Sequence, residues 1–209
     1  MIHIQMLDTT MVENKLTLEE QMMARAISNA TKARPRCMPN PWVGAVLVSS
    51  DGQTFDGFTQ EFGSGHAETV CLDEAGRKAQ GATLYVTLEP CSHSGKTGPC
   101  VERIIESRIS RVVIGMKDPD RQVCGEGIKS LQSAGVDVVV GVLEDLVAEQ
   151  LAPYVHHRNT GRPYVILKIA TTLDGKVAAP DGSSQWITGA QARREGHKLR
   201  AYSDAICVG

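Results

Sequence analysis

Long apolar runs are missing from this 209-residue sequence. No stretch approaches the roughly 18 residues that a membrane-spanning helix needs, which excludes an integral α-helical membrane protein. An excess of basic charge is missing too: 22 Lys and Arg stand against 24 Asp and Glu, for a net charge of −2. A chain with no positive field has no general grip on a nucleic-acid backbone. Neither nucleic acid nor membrane is therefore expected as a partner, and a small-molecule substrate is the better expectation. The first 15 residues show no basic start followed by an apolar stretch, since Asp8, Glu13 and Asn14 interrupt them. No secretory leader is expected there, and the cytoplasm is the expected compartment. Internal repeats and low-complexity tracts are also absent. A homo-oligomer is compatible with the sequence, which does not specify one.

Against these absences stand six cysteines: Cys37, Cys71, Cys91, Cys100, Cys124 and Cys207. In a chain expected to stay in a reducing compartment they do not read as a disulfide framework. Metal binding or plain burial is expected instead.

The order of elements reads as follows. Thr17-Leu18-Glu19-Glu20 is a capping box that opens a helix running to about Thr31. Two prolines, Pro35 and Pro39, make a loop of residues 34–41. Val43 to Ser49 reads as a strand, Asp51-Gly52 as a turn, and Gln53 to Phe58 as its hairpin partner. A helix is expected from Ala67 to Ala75, ended by Gly76. Strands follow at Thr83–Leu88, Arg111–Met116 and Val136–Val140. Helices are expected at Cys100–Ser107, Gly127–Ala134 and Leu143–His156, the last interrupted at Pro153. Alternating strands and helices predict an α/β fold, with a mixed sheet between helices. Asn159-Thr160-Gly161-Arg162-Pro163 is a polar break. It divides the chain into an extension (1–15), a first domain (16–158) and a second segment (159–209). In that segment a strand is expected over Tyr164–Ala170, a helix capped by Thr188 and reaching Ala201, and a strand beginning at Ala205–Val208.

The chemistry concentrates in two places. His66-Ala67-Glu68 sits at the start of a predicted helix. Pro90-Cys91 ends a strand and opens a loop that closes at Pro99-Cys100. One imidazole and two thiolates suit Zn2+. Three protein ligands leave a fourth tetrahedral position for water, which is the catalytic arrangement. Glu68, two residues from a ligand, is placed to move protons without binding the metal. His-x-Glu followed by Pro-Cys is the pattern of zinc deaminases, whose second half is usually Cys-x-x-Cys. Here eight residues separate the two cysteines. The competing reading is a closed structural zinc site, with His93 or Cys71 as fourth ligand and no role for Glu68.

Three segments together resemble one family. They are Pro39-Asn40-Pro41-Trp42-Val43-Gly44, His66-Ala67-Glu68, and Glu89-Pro90-Cys91-Ser92-His93-Ser94-Gly95-Lys96-Thr97-Gly98-Pro99-Cys100. From about Glu19 to Gly209 the chain is similar to the bifunctional riboflavin-biosynthesis proteins, deaminase half first. The long loop between the cysteines separates that family from cytidine and tRNA-adenosine deaminases. The resemblance implies a cytidine-deaminase-like fold. It also implies a substrate, 2,5-diamino-6-ribosylamino-4(3H)-pyrimidinone 5′-phosphate, whose 2-amino group is replaced by water. His66, Cys91 and Cys100 are then the zinc ligands, Glu68 the proton shuttle, and Asn40, His93 and Lys96 the substrate contacts. An amide at Asn40 can donate to and accept from a pyrimidinone edge, and Lys96 is a mobile cation suited to a phosphate. Residues 118–127 resemble a further loop bordering the site. The family usually has Asn-Pro where this chain has Asp120-Arg121, and a second proline where it has Gly98. Neither departure falls on a metal ligand. Another zinc deaminase acting on a different base, or a non-catalytic zinc-stabilised binding module, are the alternative readings.

Leu167-Lys168-Ile169-Ala170-Thr171-Thr172-Leu173-Asp174-Gly175-Lys176 and Ser184-Gln185-Trp186-Ile187-Thr188-Gly189 resemble the opening of that family's reductase half. By resemblance this half is dihydrofolate-reductase-like and uses NADP(H). Ala170 and Trp186 are then cofactor contacts, and Lys168, Ser184 and Arg200 substrate contacts. Arg200 suits a phosphate through its planar fork. About 46 residues are too few to bury a core alone, so this segment is expected to be an incomplete domain. The 209-residue chain is therefore expected to reduce nothing. Incubated with NADPH and deaminated product, it should leave the NADPH absorbance constant, and measurable oxidation would contradict that expectation.

Overall fold

The computed structural model describes residues 16–34, 36–93, 98–120 and 123–208. The chain divides into two compact units, one reaching Pro163 and the other running from Tyr164 to Gly209.

The first unit is built on a five-stranded sheet. Its strands are β1 (Gly44–Val48), β2 (Thr54–Phe58), β3 (Thr83–Leu88), β4 (Arg111–Met116) and β5 (Asp137–Val140). They lie in the order β2-β1-β3-β4-β5. β1 runs antiparallel to β2 and to β3, whereas β3, β4 and β5 are parallel. The sheet is thus mixed, as the Asp51-Gly52 turn predicts, and Gly52 takes the positive φ that such a turn needs.

Around it lie helices α1 (Leu18–Ala33), α2 (Ala67–Ala75), α3 (Cys100–Glu106), α4 (Glu126–Ser133), α5 (Glu144–Gln150) and α6 (Ala152–Thr160). The predicted capping box at Thr17 and Glu20 is present. The helix expected over residues 143–156 is two helices meeting at Leu151, with Pro153 in the first turn of the second, where its missing N–H is harmless.

Period-two alternation sorts the strand residues between two faces. Val46, Tyr85 and Val113 lie in register and pack under Met23 and Ala26 of α1. Leu47, Leu84 and Val112 point the other way and join Cys71, Leu72, Val101, Ile104 and Leu131 of α2, α3 and α4. β1, β3 and β4 are buried along nearly their whole length. They are therefore apolar along most of their length rather than strictly alternating.

Two glycines let helices sit close on the sheet. A Cβ on Gly44 would lie 1.9 Å from the Ala26 carbonyl oxygen of α1, and one on Gly57 would lie 2.1 Å from the Ala67 carbonyl oxygen of α2. The second contact matters because α2 begins immediately after His66.

The second unit corrects three expectations. Residues 164–170 and 205–208 form no strand. A strand needs a partner for its N–H and C=O groups, and here Val165, Leu167 and Val208 stay largely exposed. The one helix among the described residues of this unit, α7 (Ala190–Ala201), is capped by Gly189 rather than Thr188 and has no side-chain cap. The Thr188 backbone carbonyl instead accepts from Arg193 Nη1 at 2.6 Å.

Gly57→Ala should drive its new methyl against backbone that cannot yield, lowering stability by about 1–3 kcal/mol. Urea unfolding followed by circular dichroism measures this, and an unchanged midpoint would contradict the close approach of β2 and α2.

Candidate metal centre and active-site cavity

Three chain segments converge beyond the carboxyl ends of β3 and β4. His66 is the N-cap residue of α2 and has extended backbone. Cys91 follows β3 after Glu89-Pro90. Cys100 is the first residue of α3, behind an extended Pro99. Their donor atoms all lie within 4.8 Å of one another. His66 Nδ1 is 3.2 Å from Cys100 Sγ and 3.6 Å from Cys91 Sγ. The Cys100 backbone N–H donates to Cys91 Sγ at 3.4 Å.

The electrostatics suit a cation. Hydrogen bonds from the Cys100 thiol and then from His66 lower the Cys91 pKa to about 4, despite its burial. Cys100 is raised in turn by that shared proton, and His66 is raised by its bond to Cys91. A site that already stabilises a thiolate meets the first requirement of soft-metal binding. One nitrogen and two sulfurs at these separations fit a tetrahedral zinc ion.

Among the described residues no fourth His, Cys, Asp or Glu joins the three. Cys71, weighed as a fourth ligand, is buried and its thiol donates to the Phe55 carbonyl. Its pKa is pushed well up by burial, so it is an inert core residue. His93 stands on the wall of the cavity outside the cluster.

Beside the three lies Glu68, a carboxylate left only 4% exposed. Burial first, and the Cys91 thiolate second, raise its pKa to about 6. A carboxyl group poised near neutrality can both take and give a proton.

These groups open onto a cavity of about 220 Å³, also lined by Asn40, Thr59, His93, Asp118, Asp120, Tyr154 and Arg158. Asn40 reaches it from a loop tied back by its own N–H to the Cys37 carbonyl at 2.9 Å. Sequence reasoning had thus grouped His66, Glu68, Cys91, Cys100, Asn40 and His93, and all six line the cavity or the metal cluster. Lys96 lies outside the described residues. The candidates in the second unit form no enclosed cluster with one another among the described residues. Lys168, Ser184, Trp186 and Arg200 are exposed and Ala170 is half-buried. Trp186 stacks under the Arg193 guanidinium, 4.3 Å from the ring centre. Lys168 and Arg200 both pass close to Gly196.

Sequence reasoning missed Glu89 as an actor. Its carboxylate is buried and accepts four backbone N–H groups. Those of Asp118 and Gly125 reach Oε2 at 3.2 and 3.0 Å. Those of Gly127 and Ile128 reach Oε1 at 3.0 and 3.2 Å. Glu89 therefore ties the loop after β4 and the start of α4 to the residue two before Cys91. Its signals were an acidic residue immediately after a buried strand and its place at the head of the Glu89–Cys100 segment. Tyr154 and Arg158 were missed for a different reason. They meet Asp118 and Asp120 across 36 and more residues of sequence, and no motif marks them.

Comparison with known proteins agrees with this geometry. Residues 16–116 match the cytidine and deoxycytidylate deaminase zinc-binding region, and residues 163–209 match the RibD C-terminal domain. The riboflavin biosynthesis protein RibD of Chlamydia trachomatis is 44% identical over 193 residues, covering 91% of this chain and 52% of that protein. The structure of Acinetobacter baumannii RibD superposes with a TM-score of 0.82 at 42% identity, covering 88% of this chain and 52% of that one. A diaminohydroxyphosphoribosylaminopyrimidine deaminase/5-amino-6-(5-phosphoribosylamino)uracil reductase from Thermotoga maritima gives a TM-score of 0.81 at 44% identity, covering 87% and 52%. The chain thus spans about half the length of the relatives it matches. The fold is cytidine-deaminase-like, a mixed sheet between helices.

Glu89→Gln should leave two of the four N–H groups facing an amide NH2 instead of an acceptor. Each unsatisfied group costs about 1–3 kcal/mol. The urea midpoint should fall accordingly, and a variant as stable as the parent would contradict the role assigned to this carboxylate.

Proposed function

As a member of the deaminase-bearing region of the RibD riboflavin biosynthesis family, this chain is, we propose, a zinc-dependent hydrolytic deaminase of 2,5-diamino-6-ribosylamino-4(3H)-pyrimidinone 5′-phosphate. The products are 5-amino-6-(5-phosphoribosylamino)uracil and ammonia. The observation that carries the reading is the convergence of His66 Nδ1 and the two sulfurs within 4.8 Å, with the buried Glu68 carboxylate lining the same cavity.

His66, Cys91 and Cys100 would hold the zinc ion. When bound, the metal supplies the Lewis acidity that brings the pKa of water towards about 7. Glu68 takes a proton from the attacking water and delivers protons to the ring nitrogen and then to the departing amine, so that water enters and ammonia leaves with no net change at the carboxylate. Burial of Glu68 raises its pKa to about 6, which suits a group that must be base and acid within one turnover. Asn40 pairs with the pyrimidinone edge, His93 contacts the bound ring, and Lys96 meets the phosphate.

We assign deamination to residues 16–158 and the opening of a reductase to residues 159–209. In that second part Ala170 and Trp186 would contact NADP(H), and Lys168, Ser184 and Arg200 its substrate. The near-neutral charge supports a small substrate over nucleic acid, and no helix among the described residues is long and apolar enough to cross a membrane. We further assign the activity to the cytoplasm.

Two measurements test the reading together. Glu68→Gln should keep zinc at one equivalent by elemental analysis and lower ammonia release by about 10²–10⁴-fold. Cys91→Ser and Cys100→Ser should lose both metal and turnover. Zinc retained in the cysteine variants, or undiminished ammonia release from Glu68→Gln, would overturn the assignment. Parallel assays with cytidine and guanine separate this substrate from other bases.

A further inference from the structure

Part of the cavity wall has no role in the chemistry above. It consists of Asp118, Asp120, Tyr154 and Arg158. Asp118 is buried, and Tyr154 Oη donates to its two carboxylate oxygens at 3.0 and 3.2 Å. The Asp120 N–H donates to Asp118 Oδ1 at 2.8 Å. The Arg158 guanidinium lies over the Tyr154 ring, 5.1 Å from its centre, and its Nε stands 3.4 Å from Asp120 Oδ2.

The balance of charge on this cavity is uneven. Its described lining carries the carboxylates of Glu68, Glu89, Asp118 and Asp120, and Arg158 is the one guanidinium or ammonium group among the described lining residues. A phosphoryl group entering such a cavity is repelled unless a cation meets it. Arg158 is well made for this. Its contact with Asp120 is longer than the roughly 2.7–2.9 Å of a full charge-assisted bond. Its planar fork can take a phosphate in bidentate fashion. Stacking on Tyr154, itself held by Asp118, keeps the guanidinium at the cavity edge while its partner changes.

We propose that Arg158 is a specificity-determining residue that gives the phosphate of a ribose-phosphate substrate a second cationic contact, exchanging its loose contact with Asp120 for that anion. The proposal rests on the substrate class given under the proposed function, but its test does not need turnover.

The test is calorimetric titration of the zinc-loaded protein with ribose 5-phosphate and with D-ribose. The parent protein should prefer ribose 5-phosphate by about tenfold or more, the worth of one charge-assisted contact. Arg158→Ala should remove most of that preference, Arg158→Lys should keep part of it, and Asp120→Asn should tighten ribose 5-phosphate binding by freeing the guanidinium. A parent protein that does not discriminate, an Arg158→Ala variant that still does, or an Asp120→Asn variant that weakens binding would each overturn the proposal. The last result would mark the pair as a structural tie. Should Arg158→Ala melt below the assay temperature, the Lys and Asn variants decide the matter. Loss of the preference in Arg158→Ala, in a parent that releases no ammonia from the diaminopyrimidine, would sink the proposed reaction and leave the role of Arg158 standing.

Discussion

The Glu89 carboxylate is buried at the end of β3 and gathers four backbone N–H groups from the loop after β4 and the first turn of α4. A charge in that position is tolerable because it is fully hydrogen-bonded, and N–H groups at a helix start favour an anion. The consequence is mechanical. Cys91 stands two residues downstream of Glu89, and Asp118 supplies one of the donors. The segment that carries one sulfur and the loop that carries one cavity wall are therefore fixed to the same side chain. Parallel pairing of β3 with β4, prolonged by the Glu89 N–H to the Met116 carbonyl at 3.0 Å, sets the two segments side by side to begin with.

On that frame the metal cluster is a matter of element ends. His66 precedes a helix, Cys100 begins one, and Cys91 leaves a strand. Side chains at such ends are placed by rigid elements on one side and remain free of the regular hydrogen-bond ladder on the other. The close seating of α2 on the sheet at Gly57 helps fix the position of the His66 end. Glu68, the second residue of α2, is buried next to the Ala67 carbonyl that closes on Gly57. Its raised pKa thus follows from packing as much as from its charged neighbours.

The cavity divides its labour by chemistry. One part presents an imidazole, two thiols and a carboxyl group near neutrality, and another presents a stacked guanidinium balanced by a carboxylate. The loop after β4 meets α6 through the contact of Asp120 with Arg158.

The local sequence determined a good deal. Capping at Thr17, the strand at 83–88, the helix at 67–75 with its Gly76 end, and the grouping of His66, Glu68, Cys91 and Cys100 were legible, because each is encoded within a few residues by periodicity, caps or motif. The tertiary structure decided the rest. Tyr164–Ala170 has the composition of a strand, yet composition cannot supply the neighbour whose N–H and C=O groups a strand requires. Glu89, Tyr154 and Arg158 look like ordinary polar residues in the chain. Their partners lie tens of residues away, and only the folded backbone brings those donors and acceptors within reach.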